Sequence, residues 1–309
     1  MALTSQQILT GLNLPDFGRD NMRSLIAYAA EHNITVLTNK DLSELIDHCF
    51  DIEVVDNIPE YYTADFDKAS RIAEKILDIC RRKHIGITAL GHPDFPHQLM
   101  SVKCGGKETA PVLLYYKGDI AKVNDRHGIA IIGTRKATPE GVKDGEFFGH
   151  FAACHGLNVV SGLALGSDSA AHRGALAAHG FTTAILAYGL AVESRDNAAL
   201  QLSIERGGGL ILTEYEPLTA SSYRTLVERN RLQAGLSQSV MLIQSNVKKG
   251  GSMHAINTAI EQGKNVFAID YRNTPLSSEH YTQCNAMLIT QGKATAVTRE
   301  NAHILLPKT

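Results

Sequence analysis

The residues best suited to chemistry lie in three glycine-rich loops. Gly133-Thr134-Arg135-Lys136 follows an apolar run at 128–132, and Lys248-Lys249-Gly250-Gly251-Ser252 follows another at 239–245. Between them in the chain, Ser161-Gly162-Leu163-Ala164-Leu165-Gly166-Ser167-Asp168 holds two glycines and ends on an acid. Glycine leaves backbone N–H groups uncovered, and a helix starting behind them presents the positive end of its dipole, so such loops can take phosphate. Arg135, Lys136, Lys248 and Lys249 add positive charge beside two of the three. A single glycine after a strand is ordinary turn geometry. Three such loops, two of them basic, point to a phosphate-bearing ligand.

Other residues admit two readings. Asp168 and His172 stand four apart on one helix face, either as an acid–base pair or as a helix cap that orients an imidazole. Glu214 could serve as a catalytic carboxylate, but no second carboxylate has a claim to stand opposite it. Arg229 and Arg231, flanking Asn230, either clamp phosphate or join a buried ion-pair network.

The elements that must position these residues follow one rhythm. Apolar runs at 127–133, 157–161, 181–187, 209–215, 239–245 and 265–270 read as buried strands. Helical patterns follow at 138–155, from Asp168, and at 196–206, 224–234 and 252–262, the first opened by Thr138-Pro139 as cap and first helical residue. Continuous apolar strands alternating with helices require a parallel sheet covered on both faces. The fold class is therefore α/β, a doubly wound, mostly parallel Rossmann-like sheet, with its ligand outside the carboxyl ends of the strands. All three glycine-rich loops fall at those ends. The first eighty residues instead read as helices, with Asp41-Leu-Ser-Glu44 as a capping box, and suggest a small helical accessory domain over 1–83 before the sheet domain of 84–309.

Composition narrows the function. At 309 residues and 44% hydrophobic, the chain can build a core, and no run approaches the ~20 apolar residues of a membrane span. The first residues lack a basic region followed by an apolar one, so a cytoplasmic location without a secretory signal is expected. Five scattered cysteines argue against disulfides or a zinc site. No G-x-G-x-x-G or Walker sequence is present, which removes the usual dinucleotide and ATP sites, and no cofactor is expected. The net charge of −2 hides a split: residues 1–105 hold ten basic and fifteen acidic residues, residues 106–309 twenty and seventeen.

Residues 84–294 resemble the DNA-processing protein family, DprA/Smf. The resemblance runs in order through Asp94-Phe95-Pro96, Ala110-Pro111 to Gly118-Asp119, Ile131 to Thr138, and Ser161-Gly162 to Ala175-Leu176. It continues at Glu214-Tyr215, at Arg229-Asn230-Arg231 with Gly235-Leu236-Ser237, and at Asn285 with Leu288-Ile289 and Gly292. The resemblance implies an extended Rossmann-like domain and a function without catalysis. Members bind single-stranded DNA, process incoming DNA in natural transformation, load a RecA-type recombinase, and form homodimers. It makes Arg135 a DNA-binding residue, with Gly162, Gly166 and Ser252 shaping the pocket for the backbone. Gly133, Thr134, Lys136, Ser161, Asp168, His172, Arg229, Asn230, Lys248, Lys249 and Gly251 complete the expected phosphate site.

The chain departs from the family in three places. An aromatic-proline pair after the third strand has no counterpart around Glu193-Ser194-Arg195, so the base-stacking platform expected there, worth about 1–3 kcal/mol per base, is missing. Gly250-Gly251-Ser252-Met253-His254-Ala255 lacks the family's threonine, and a C-terminal winged helix is not expected. The alternative reading is a Rossmann-like nucleotide sensor, or a nucleoside-monophosphate hydrolase. The second needs a glutamate that the loop after Gly251 does not supply in step.

Overall fold

A computed structural model describes residues 3–193, 196–247 and 251–307. Four helices come first: α1 (Ser5–Leu12), α2 (Gly18–Glu31), α3 (Asn39–Asp51) and α4 (Thr63–Arg82). The capping box of α3 lies three residues earlier than the sequence pattern places it. Thr38 Oγ1 accepts from Asp41 N at 3.1 Å and the Asp41 carboxylate accepts from Thr38 N at 2.8 Å, so the helix starts at Asn39. Glu44 is left to an exposed ion pair with Lys40.

The strands are β1 (Gly86–Ala89), the two-stranded ribbon β2 (Lys103–Cys104) and β3 (Lys107–Glu108), then β4 (Leu113–Lys117), β5 (Gly128–Ile132) and β6 (Asn158–Ser161). They continue through β7 (Thr182–Ile185), β8 (Leu210–Thr213), β9 (Ser239–Leu242), β10 (Asn265–Ile269) and β11 (Thr295–Val297). Helices α5 (Pro139–Cys154), α6 (Ser167–Ala177), α7 (Ala198–Arg206), α8 (Tyr223–Glu228), α9 (Asn230–Gly235), α10 (Gly251–Glu261) and α11 (Gln283–Thr290) connect them. The nine strands other than the ribbon form one sheet in the order β1-β4-β8-β7-β6-β5-β9-β10-β11. From β8 to β11 all pairings are parallel; β4 and β1 extend that sheet antiparallel at one edge.

This order fixes where a ligand can sit. From β5 the chain steps to β6, β7 and β8 on one side, then returns past β5 to place β9, β10 and β11 on the other. The connections after β5 and β9 therefore leave in opposite directions and open a crevice between them, the switch point of a doubly wound sheet. Residues of β5, β6, β8 and β9 are buried throughout, as a parallel sheet covered on both faces requires.

Two differences from the sequence reading matter for the site. The single helix expected at 224–234 is two, α8 and α9, meeting at Arg229. The junction residue Arg229 and Arg231 inside α9 are held by different partners, described below. The helical segment also does not stand apart. Leu9, Met22, Ile46 and Ala73 share one buried cluster with Leu113, Tyr115, Ala184, Leu186 and Ile211 of the sheet. Among the described residues no helix is long and apolar enough to cross a membrane.

Candidate functional site

A cleft of about 810 Å³ opens at the switch point, lined by Gly133, Thr134 and Arg135 after β5, Asn246 and Val247 after β9, and the start of α10. Gln244 holds the β5 loop at both ends. Its carbonyl accepts from Thr134 N at 2.7 Å, while its side chain accepts from Thr138 N at 3.0 Å and donates to Thr138 Oγ1 at 2.9 Å. Thr138 in turn caps α5 by accepting from Gly141 N. The β6 loop closes against the same segment. Ser167 N donates to the Thr134 carbonyl at 3.2 Å, and Gly166 sits at φ +79°, where a Cβ would lie 2.5 Å from that carbonyl. Glycine meets both demands, the left-handed backbone and the close approach.

The floor of the cleft is a buried polar network. Asp168, at the start of α6, accepts from Gly162 N at 3.1 Å and faces the Arg229 guanidinium at 4.0 Å. Arg229 also donates to the Ile185 carbonyl at 3.1 Å. Gln233, with its amide oxygen turned to the donors, accepts from Arg229 at 2.6 Å and from Gly162 N at 2.7 Å. Burial raises the Asp168 carboxyl above the usual range, opposed by the Arg229 charge and backbone donors; burial likewise lowers Arg229, opposed by Asp168. The two charges therefore answer each other. A Cβ at Gly162 would overlap the Arg229 guanidinium, so the glycine is what lets the arginine lie flat beneath the loop.

Arg135 differs from Arg229. It is exposed at the cleft wall, makes no ion pair among the described residues, and its charge bears on Arg229 below. Asn230 lines the cleft and donates to the Gly251 carbonyl at 3.1 Å, joining α9 to the start of α10, where Ser252 lies buried in the cleft wall.

The remaining expected residues fall elsewhere. Lys136 is exposed but outside the cleft lining. Ser161 is buried beneath it and donates to the Ile131 carbonyl at 2.6 Å, stitching β6 to β5. His172 is fully buried beneath the sheet, with Nδ1 2.7 Å from Thr182 Oγ1 rather than beside Asp168. Thr182 gives its own proton to the Val159 carbonyl, so Nδ1 is the donor and Nε2 carries no proton. Burial, with the Arg229 charge nearby, pushes the imidazole down to about 3. Lys248 and Lys249 lie outside the described residues.

Arg231 and Glu214 resolve toward the ion-pair reading. The two form a bidentate pair at 2.5 and 2.6 Å, and Arg19 of α2 adds a third bond to Glu214 at 3.1 Å. Burial works against the Arg231 charge, but the Glu214 bonds outweigh it and raise its pKa. Sequence reasoning passed over Gln244, Gln233 and Tyr223. The first two are amides inside apolar patterns, where a polar residue with no visible partner is the available signal. Tyr223 follows a segment without periodicity and gives no signal.

A doubly wound α/β sheet with glycine loops and an exposed arginine meeting in a cleft at its switch point defines an extended Rossmann-like protein. A family model described as DNA recombination-mediator protein A matches residues 86–306, and the chain belongs to that family. The DNA processing protein DprA of Streptococcus pneumoniae is 34% identical over 192 residues, 60% of this chain and 65% of the relative. Protein Smf of Escherichia coli is 31% identical over 160 residues, 52% of this chain and 42% of the relative. The aligned part thus spans less than two thirds of these curated relatives. Among solved structures, S. pneumoniae DprA superposes over 100% of both chains with a TM-score of 0.74 at 24% identity, a likeness of fold. DNA processing protein A of Helicobacter pylori, described for its single-stranded DNA binding mode, gives a TM-score of 0.61 at 27% identity, covering 72% of this chain and 97% of that one.

Proposed function

We propose that this protein binds single-stranded DNA by its backbone phosphates in the switch-point cleft, as a non-catalytic factor in DNA processing and recombination. The observation that carries the reading is the contrast between the two arginines of the cleft. Arg229 is buried and balanced by Asp168, whereas Arg135 stands exposed beside loop amides with no counterion among the described residues. A neutralised floor with a free cation above it suits a repeating anion that lies along the cleft, read through its backbone and not its bases. The family membership and the described DNA-binding mode of the H. pylori protein support the same conclusion.

The absence of catalysis is part of this reading. The acid–base candidates are engaged elsewhere: His172 with Thr182, Glu214 with Arg231. A homodimer acting in the cytoplasm and handing DNA to a RecA-type recombinase completes the proposal, with Lys248 and Lys249 as further phosphate ligands. Salt titration of binding to single- and double-stranded oligonucleotides tests it. Single-stranded affinity falls steeply with salt, and Arg135→Ala weakens it while reducing the log–log salt slope by about 0.7 for each phosphate that is no longer neutralised. Binding that ignores salt and Arg135, together with thermal stabilisation by a mononucleotide alone, would return the protein to the nucleotide-sensor reading.

A further inference from the structure

We propose that Tyr223 is a nucleobase-stacking platform at the mouth of the switch-point cleft. The inference rests on the single-stranded DNA reading and adds to it a base subsite. Tyr223 opens α8 and lines the cleft, yet it is 79% exposed. Among the described residues no aromatic ring or guanidinium packs on it. A tyrosine ring normally spends its large apolar surface on burial, so one standing free at a ligand cleft has a face to offer. Tyr223, Leu226 and Val227 fall at positions i, i+3 and i+4, share one face of α8, and all three line the cleft.

The cleft lining thus carries two chemistries. It combines the β5 loop with Arg135 and the ring and aliphatic groups of α8. A single strand presents the matching pair, phosphates along one edge and flat bases along the other. Stacking on an aromatic face tolerates any base, because each base has a π-face, so Tyr223 contributes affinity without sequence preference. This places the platform on α8, not in the segment after β7.

The chain contains no tryptophan, so Tyr223→Trp is a single-tryptophan reporter. Titration with oligo(dT) should quench its fluorescence, and an abasic strand of equal length should bind more weakly and leave it unquenched. Tyr223→Ala should weaken oligo(dT) binding about tenfold, Tyr223→Phe should keep wild-type affinity, and neither should shift the melting temperature, the side chain being exposed. If Tyr223→Ala binds oligo(dT) like wild type while Arg135→Ala is weakened, the platform falls and the DNA reading stands. If Tyr223→Ala loses as much on the abasic strand as on oligo(dT), the residue is not stacking and the platform falls again. If the wild-type protein binds no single-stranded DNA, both readings fall together.

Discussion

At His172 the imidazole is held neutral by its surroundings: Nδ1 donates to Thr182, Nε2 has no partner among the described residues, and burial keeps the pKa near 3. In the unfolded chain the same ring titrates near 6.5, so below that pH the unfolded state gains a proton that the fold refuses. Stability from this group is complete above about pH 6.5 and declines by about 1.4 kcal/mol per pH unit from there toward pH 3. Chemical denaturation between pH 7.5 and 4.5 should therefore show a steeper decline for wild type than for His172→Asn, each referred to its own value at pH 7.5. Gly162→Ala makes a second residue-scale case. The added methyl overlaps Arg229, which must abandon Asp168 or Ile185, and a cost of roughly 1–3 kcal/mol should appear in thermal melts, with weakened DNA binding. The Asp168–His172 spacing predicts a shared helix face, which α6 provides. Spacing alone does not say whether a neighbour turns to cleft or core, and His172 goes to the core.

Among the elements, α9 carries the sharpest energetic expectation. Glu214, at the end of β8, holds Arg231 from two oxygens in a site buried on both sides. Glu214→Gln leaves that guanidinium without a counterion and should cost about 3–5 kcal/mol in urea denaturation. Arg19→Met removes only the outer, 43% exposed partner of the same carboxylate and should cost less than about 1 kcal/mol. The parallel strands from β5 to β10 and their order of helices were legible from apolar runs alone, because a strand buried on both faces has no polar half to confuse its pattern. The edge strand β11, three residues long and only partly buried, gave no such run. The break at Arg229 was not, since both halves have helical composition and only the anchors in three dimensions separate them. The α3 cap was misplaced by three residues because Thr38-x-x-Asp41 and Asp41-x-x-Glu44 overlap as patterns, and only Thr38 is extended enough to serve.

For the whole molecule, the sequence boundary near residue 84 separates acidic helices from the mildly basic sheet, yet apolar packing crosses it. Leu113, Tyr115, Leu186 and Ile211 are covered jointly with the helical residues. A chain beginning at residue 84 should expose this face and come out of cells aggregated or bind a hydrophobic dye, and the intact chain should do neither; a soluble, cooperatively melting fragment would show the two parts to be independent. The cleft residues lie on the sheet side of that boundary, which is why a net charge of −2 misrepresents the surface around the cleft.

Gln244 has a further consequence, one of timing. It fastens both ends of the segment that carries Arg135, through its carbonyl at Thr134 and its amide at Thr138. A loop tied at each end has little wandering left to lose, so an incoming strand need not wait for it to assemble. Association in stopped flow should then be a single phase whose rate rises linearly with strand concentration, limited by encounter, and Gln244→Ala should bend that line toward a plateau set by the loosened loop.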